Sequence, residues 1–296
     1  MSSPARDHRV ALLLMIGATL CWSSAGVLMR NMRVTDGWEV TFWRSVFMTL
    51  TLSGWLWLRH RGGFVTQVRA VGLPGLMSGC LLTVMFIGFI LAMTYTTVAN
   101  TLIVTSSAPF FSALFGWLWL RERVPARTWG AMTVATFGIA VMFVGAVSNE
   151  RWLGAMIALI VPVAFGLNVV LLRRMRASVD MIPGILLAGA ISMIVTLPFA
   201  LPFEVDLRDL GLLATMGAVQ LGLGCVLLVV ASRHLAAAEI GLTSILETVF
   251  GTLSVWALVG ERPSAAALTG GAMVIGALAA NQFVALRARP AAAAVS

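Results

Sequence analysis

The feature that most restricts this chain is a succession of apolar runs, each close to the length needed to cross a bilayer. A spanning helix takes ~20 predominantly apolar residues. Ten stretches qualify: 10–29, 40–58, 71–93, 97–119, 128–147, 152–172, 181–203, 209–231, 236–259 and 265–286. Inside lipid the backbone has no water to bond to, so consecutive runs of this kind fold as helices that satisfy their own N–H and C=O groups. The connections are short and leave no room for a soluble domain. Composition agrees: 59% of residues are hydrophobic and 11% charged, with mean hydropathy +0.95. A soluble domain carries roughly a quarter charged residues. The sequence predicts an all-α membrane protein of ten transmembrane helices with the lipid bilayer as its surroundings.

The net charge of +8 is carried by arginine alone, because the chain contains no lysine. The arginines sit in short groups between apolar runs rather than on one exposed basic face, which argues against a nucleic-acid partner. They orient the chain instead. With the N-terminus inside, the inner segments hold Arg6, Arg9, Arg59, Arg61, Arg69, Arg121, Arg123, Arg127, Arg173, Arg174, Arg176, Arg233, Arg287 and Arg289. The outer segments hold only Arg30, Arg33, Arg151, Arg208 and Arg262, and the loop after the seventh run adds Glu204, Asp206 and Asp209. Both termini are expected to be cytoplasmic. The run from Val10 to Met29 exceeds the ~7–15 residues of a signal-peptide core, and no small-x-small pattern ends it before Arg30, so it reads as a retained first helix. Cys21, Cys80 and Cys225 all fall inside apolar runs and read as small packing residues. They form neither a disulfide framework nor metal-ligand spacing, and the sequence implies no cofactor and no metal.

The chain repeats itself. Residues 96–123, ending Arg121-Glu122-Arg123, lie over residues 235–262, ending Gly260-Glu261-Arg262, at a shift of 139, which pairs Ala99 with Ala238 and Thr105 with Ser244. Gly72 pairs with Gly211 at the same shift, and Cys21–Arg30 resembles Ala164–Arg173 at a slightly different one. Two halves of five helices each, 1–147 and 148–296, have an odd helix count, so the second enters the membrane from the opposite face. Such a 5+5 inverted-topology repeat is an architecture of secondary transporters, with the substrate held near the midplane between the repeats. Gly75 and Gly79 form a GxxxG in the third helix, and Gly270, Gly271 and Gly276 stud the tenth, at spacings that let helices approach closely. Pro109, Pro162, Pro183 and Pro198 interrupt apolar runs and permit local bends.

No catalytic motif of soluble enzymes is present, and without a nucleotide-binding loop any transport draws on a gradient. What remains is a sparse set of intramembrane polar groups. A charge at the bilayer centre costs at least ~2.5 kcal/mol on insertion scales, so it normally has a partner or a function. Glu247 is the foremost case, with Thr243 and Ser244 one turn before it on the same face. Its repeat-equivalent is Ala108, so the acid breaks the symmetry. Two readings stand open: a protonatable site with the proton as coupling ion, or a hydrogen-bonding residue that holds a helix interface. Arg44, some five residues into its run, either snorkels toward the interface, the favoured reading, or pairs with a carboxylate in the cavity. Ser23, Asn100, Thr105, Asn168 and Gln220 suit a cavity that orients a polar substrate, with Trp22, Phe86, Phe89 and Tyr95 as candidate aromatic walls. Glu122 and Glu261 close the fourth helix of each half and read as structural turn residues that cap the next helix.

These residues resemble the drug/metabolite transporter superfamily, in its ten-helix EamA-type branch. The resemblance rests on Arg121-Glu122-Arg123 followed by Gly130 and Gly138, on Gly260-Glu261-Arg262 followed by Gly270 and Gly276, on Trp22-Ser23, and on Arg44. It covers about residues 10–286. Members often carry Glu-Pro in the ninth helix; here that place reads Glu247-Thr248, while the fourth helix has Ala108-Pro109. The resemblance implies export of small metabolites, amino acids or amphipathic drugs across the inner membrane through a central cavity. An exchanger of nucleotide-sugars or phosphorylated sugars is the alternative. It would want several cations in the cavity, and only Arg44 lies within a helix. A membrane-embedded enzyme or sensory subunit is the alternative of another class.

Overall fold

The computed structural model describes residues 4–60, 66, 69–147, 151–174, 181–232, 234–235 and 237–287. Arg61, Arg176, Arg233 and Arg289, which contribute to the arginine bias, lie outside the described residues. Among the described residues the structure is all-helical. Ten helical segments, called passes below, build the described residues, three of them broken. Pass one is α1 (Pro4–Ser23) and α2 (Ala25–Arg30); pass two is α3 (Gly37–His60); pass three is α4 (Gly72–Tyr95). Pass four is α5 (Val98–Thr105) and α6 (Ala108–Leu120), followed by α7 (Ala126–Val147), α8 (Trp152–Arg174) and α9 (Met181–Ala200). Pass eight joins α10 (Leu207–Thr215), a π-helical segment (Met216–Leu223) and α11 (Gly224–Ala231); α12 (Ala237–Val259) and α13 (Ala265–Arg287) complete the chain. Eight of these passes are long and apolar enough to cross a membrane by length and composition, and Thr243–Val259 is a shorter apolar helix. α3, with Glu39, Arg44 and Arg59, is the remaining pass. The protein is a multi-pass membrane protein.

The helices pack in a reciprocal pattern. α4 lies against α8 while α11 lies against α1; α6 lies against α8 while α12 lies against α1; α3 pairs with α9 and α7 with α13. Small residues set the closest of these approaches. A Cβ on Gly138 would stand 3.0 Å from the Met273 Cβ and closer still to the Gly270 carbonyl, so the glycines bring α7 and α13 into backbone contact. Two hydroxyl bonds pin α9 in the interior: Ser45 to Ser192 at 2.9 Å, and Thr83 to the Ala188 carbonyl at 2.9 Å.

Proline and hydroxyl chemistry explains the break in pass four. Pro109 has no N–H, so the Thr105 carbonyl lacks the donor of the next turn. Three successive hydroxyls bond the carbonyls just before the break, those of Leu102 and Val104 alongside the Ser106 and Ser107 amides. Thr105 donates to the Leu102 carbonyl at 3.0 Å, Ser106 to Ile103 at 2.7 Å and Ser107 to Val104 at 2.6 Å. The matching pass nine has no proline, and α12 runs unbroken for 23 residues. α8 also continues through Pro162.

Carboxylates tie down the loops at the end of the bundle where passes one, three, seven and nine finish. Glu39 is buried and accepts from the amides of Glu204 and Val205, both at 3.0 Å. Asp209, also buried, accepts from Arg33 and Val34 amides at 2.7 and 2.8 Å. Each acid sits at the start of one pass and grips the loop leading into another.

Candidate functional site

Arg44 stands seven residues inside α3, and its side chain is only 2% exposed. This corrects the favoured expectation for it: the guanidinium does not snorkel to an interface. Its central carbon lies 5.7 Å from the centre of the Phe86 ring and 5.9 Å from that of Phe89, both on α4, within the range of cation–π attraction. Phe86 belongs to an apolar cluster with Met48, Leu186 and Cys225, and Phe89 packs on a second cluster with Val40, Ile90 and Met216. Arg44 therefore occupies the seam between two cores. The rings attract its charge but take none of its five N–H donors. Nη1 is occluded with no hydrogen-bond partner, and no carboxylate among the described residues pairs with the group.

Pass eight presses against this point. The π segment brings Gly217 onto the Arg44 carbonyl, and an added Cβ there would also meet the Phe47 Cβ at 2.7 Å. π-helical turns interrupt regular helices mostly at functional places. Gln220, inside the segment, is 3% exposed, and its Oε1 has no partner. Just beyond, Gly224 leaves room for the Trp22 indole, whose Cδ1 would lie 2.8 Å from a Cβ at that position. Trp22 packs against the cluster of Phe86 and Cys225, and its buried Nε1 is likewise unbonded. Glu247 is partly buried on α12 and accepts no hydrogen bond among the described residues.

Arg44, Phe86, Phe89, Trp22 and Cys225 thus gather around one interior region, and Glu247 lies on α12, which packs against α1, the helix of Trp22. Other expected site residues stand elsewhere or are already engaged. Thr243 and Ser244 each bond back to their own helix, to the Glu239 and Ile240 carbonyls at 2.8 Å. Ser23 donates to the Leu20 carbonyl at 2.9 Å, and Thr105 supports the break in pass four. Asn100 sits in the first turn of α5, donates to Thr96 Oγ1 at 3.2 Å, and leaves its Oδ1 unbonded. Asn168 is buried in α8 with an unbonded Oδ1. Tyr95 is 48% exposed at the end of α4, away from the Phe86 cluster.

Glu261 does not cap the helix that follows it; Ser264 does, accepting from the Ala267 amide at 3.1 Å. Instead Glu261 crosses to the other half of the chain. Its Oε1 accepts from the Val98 amide at the start of α5 at 2.8 Å, and its Oε2 accepts from Arg30 Nε at 2.7 Å. Arg30 also donates to the Thr96 carbonyl at 2.9 Å. Glu122 makes the corresponding crossing at the opposite end of the bundle, accepting from Arg173 at 2.9 Å. Sequence reasoning missed both arginine partners. The signal was present: Arg30 aligns with Arg173 and Glu122 with Glu261, so exchange between the halves was the pairing to test.

The EamA-like transporter family model matches the chain twice, over residues 9–144 and 152–281. The pseudopaline exporter CntI of Pseudomonas aeruginosa, in strains UCBPP-PA14 and PAO1, is 27% identical over 272 residues, covering 89% of this chain and 93% of its own length. A solved crystal structure aligns with TM-score 0.59 at 19% identity, over 94% of this chain and 98% of its own, and bears on fold alone.

Proposed function

The chain belongs to the EamA-like transporter family, within the drug/metabolite transporter superfamily, and on that premise we propose that it exports a small organic solute across a bacterial inner membrane. It is a transporter and not an enzyme. One observation supports export as the direction of transport: the similarity to an exporter runs along 93% of that relative's length and 89% of this chain, rather than over one motif. Amino acids, other metabolites and amphipathic drugs are the solute classes to test.

The two family matches correspond to two five-helix halves, 1–147 and 148–296, inserted in opposite senses with both termini cytoplasmic. The reciprocal packing of α4 on α8 and α11 on α1 supports this, as does the exchanged pairing of Arg30 with Glu261 and Arg173 with Glu122. The solute passes between the halves, by the interior region of Arg44, Trp22 and Phe86 and past Glu247 on α12. Glu247, with Thr243 and Ser244 on the same helix, contributes the substrate or proton site, and it is the acid that only one half carries. Asn100, Thr105, Asn168, Gln220 and Ser23 are secondary polar positions along the path.

Gradient-driven flux in proteoliposomes tests the reading. Solute flux in wild-type vesicles is expected to respond to an imposed proton gradient, and Glu247→Gln is expected to abolish that response. Flux by Glu247→Gln with unchanged pH dependence would sink the role of Glu247. For topology, Ser2→Cys in a background lacking Cys21, Cys80 and Cys225 should resist a membrane-impermeant thiol reagent applied to intact cells. Labelling from outside would overturn the orientation.

A further inference from the structure

A buried guanidinium with no anion beside it is an incomplete structure, and its surroundings indicate what completes it. Arg44 is 2% exposed, bonds to no acceptor among the described residues, and keeps Nη1 fully occluded. Nearby, the Trp22 indole is a second buried N–H without an acceptor. Phe86 and Phe89 hold the guanidinium by their faces, at 5.7 and 5.9 Å, and leave its donor edge unused. Two buried N–H groups here lack an acceptor, one of them on a cation, and an anion is the partner that satisfies a guanidinium.

We propose that Arg44 is the anion-binding residue of the transport path: it receives a carboxylate of the exported solute, with Trp22 as an adjoining donor and Phe86 and Phe89 alongside. This rests on the export reading above and names its substrate class. A carboxylate suits the place better than a phosphate. One planar guanidinium matches one carboxylate in geometry and in charge, whereas a dianionic phosphate wants several cations and Arg44 stands alone.

The experiment compares media conditioned by cells expressing wild-type protein, Arg44→Gln, Arg44→Lys or an empty vector. Solutes are resolved by mass spectrometry, and those retained by an anion exchanger at neutral pH are scored separately. Wild type is expected to enrich solutes that carry a carboxylate. Arg44→Gln should lower that enrichment by at least about tenfold, the scale of a lost charge-assisted hydrogen bond. Arg44→Lys, which keeps the charge but not the fork, should fall in between. Purified Arg44→Gln should melt no lower than wild type, since it removes an unpaired buried charge; a merely structural Arg44 would lower the melting temperature instead. If Arg44→Gln fails to accumulate, the Arg44→Lys profile decides, because an unchanged profile with the fork removed refutes the assignment. Enriched solutes that lack a carboxylate, or an Arg44→Gln profile equal to wild type, also overturn it. No enrichment by wild type over vector overturns the export reading itself, and the proposal with it.

Discussion

Breaking the pair Arg30–Glu261 should destabilise the protein several times more than breaking its counterpart Arg173–Glu122. The two have similar chemistry and similar lengths, 2.7 and 2.9 Å. Their surroundings differ. Arg30 and Glu261 are 27% and 20% exposed, whereas Arg173 and Glu122 are 53% and 44% exposed. Glu261 also accepts from the Val98 amide, so its removal strands a helix N-terminal donor as well as a cation. A charge-assisted hydrogen bond contributes about 1.5–3 kcal/mol, and partial exposure trims that. The coupling expected in a double-mutant cycle of Arg30→Gln and Glu261→Gln is therefore about 1–3 kcal/mol. For Arg173→Gln and Glu122→Gln it is about 0.2–1 kcal/mol, the range of exposed pairs. Reversible unfolding in mixed detergent micelles, followed by tryptophan fluorescence, gives both cycles. Raising the salt concentration should weaken the second coupling and leave most of the first, because exposed charges are screened more strongly. Equal couplings, or the reverse order, would refute the argument that burial and the shared amide set the difference.

Gly138→Leu should unfold more readily by about 2 kcal/mol or more, because the nearest obstacle to a side chain is the Gly270 carbonyl, which cannot rotate away; the same unfolding assay measures it. Gly276→Ala should gain up to about 1 kcal/mol, since nothing lies within 4 Å of a Cβ there and alanine favours the helix. Asp206 caps α10 through the Asp209 amide and pairs with Arg33, and that amide, followed by the arginine, holds its carboxyl below the usual carboxylate range. With the folded value depressed, its stabilisation is present above the ordinary carboxylate value and is lost as pH falls through the folded one. Asp206→Ala should flatten the acid side of the stability–pH curve, which thermal melts across acidic buffers will show.

Much of the fold was legible because membrane helices announce themselves by length and apolarity alone. The ten runs correspond to the ten passes to within a few residues at most ends. Pass two was legible as an apolar run even though its three charged residues lower its hydropathy. What the sequence hid was pairing across distance. Arg44 reads as a snorkelling residue from its depth along α3, because the Phe86 and Phe89 faces that hold it belong to another helix. Glu261 reads as a local cap because its neighbours in sequence include a turn, while its partners Val98 and Arg30 are 163 and 231 residues away. The π segment left no mark on the apolar pattern, since glycine and aliphatic residues suit both helix types. Cys225 was read as packing, and it lies buried in the apolar cluster of Phe86.

The hydroxyls at Thr105, Ser106 and Ser107 stand where pass four breaks and pass nine does not. A helix that bends must release carbonyls, and in lipid each released carbonyl raises the barrier. At this junction hydroxyls already sit on the Leu102, Ile103 and Val104 carbonyls, so the last turn of α5 stays satisfied although the helix stops there. Thr243 and Ser244 bond α12 carbonyls in the same way, yet with no proline beside them that helix runs on. The same hydroxyl chemistry thus closes a helix end in one place and reinforces a continuous helix in the other.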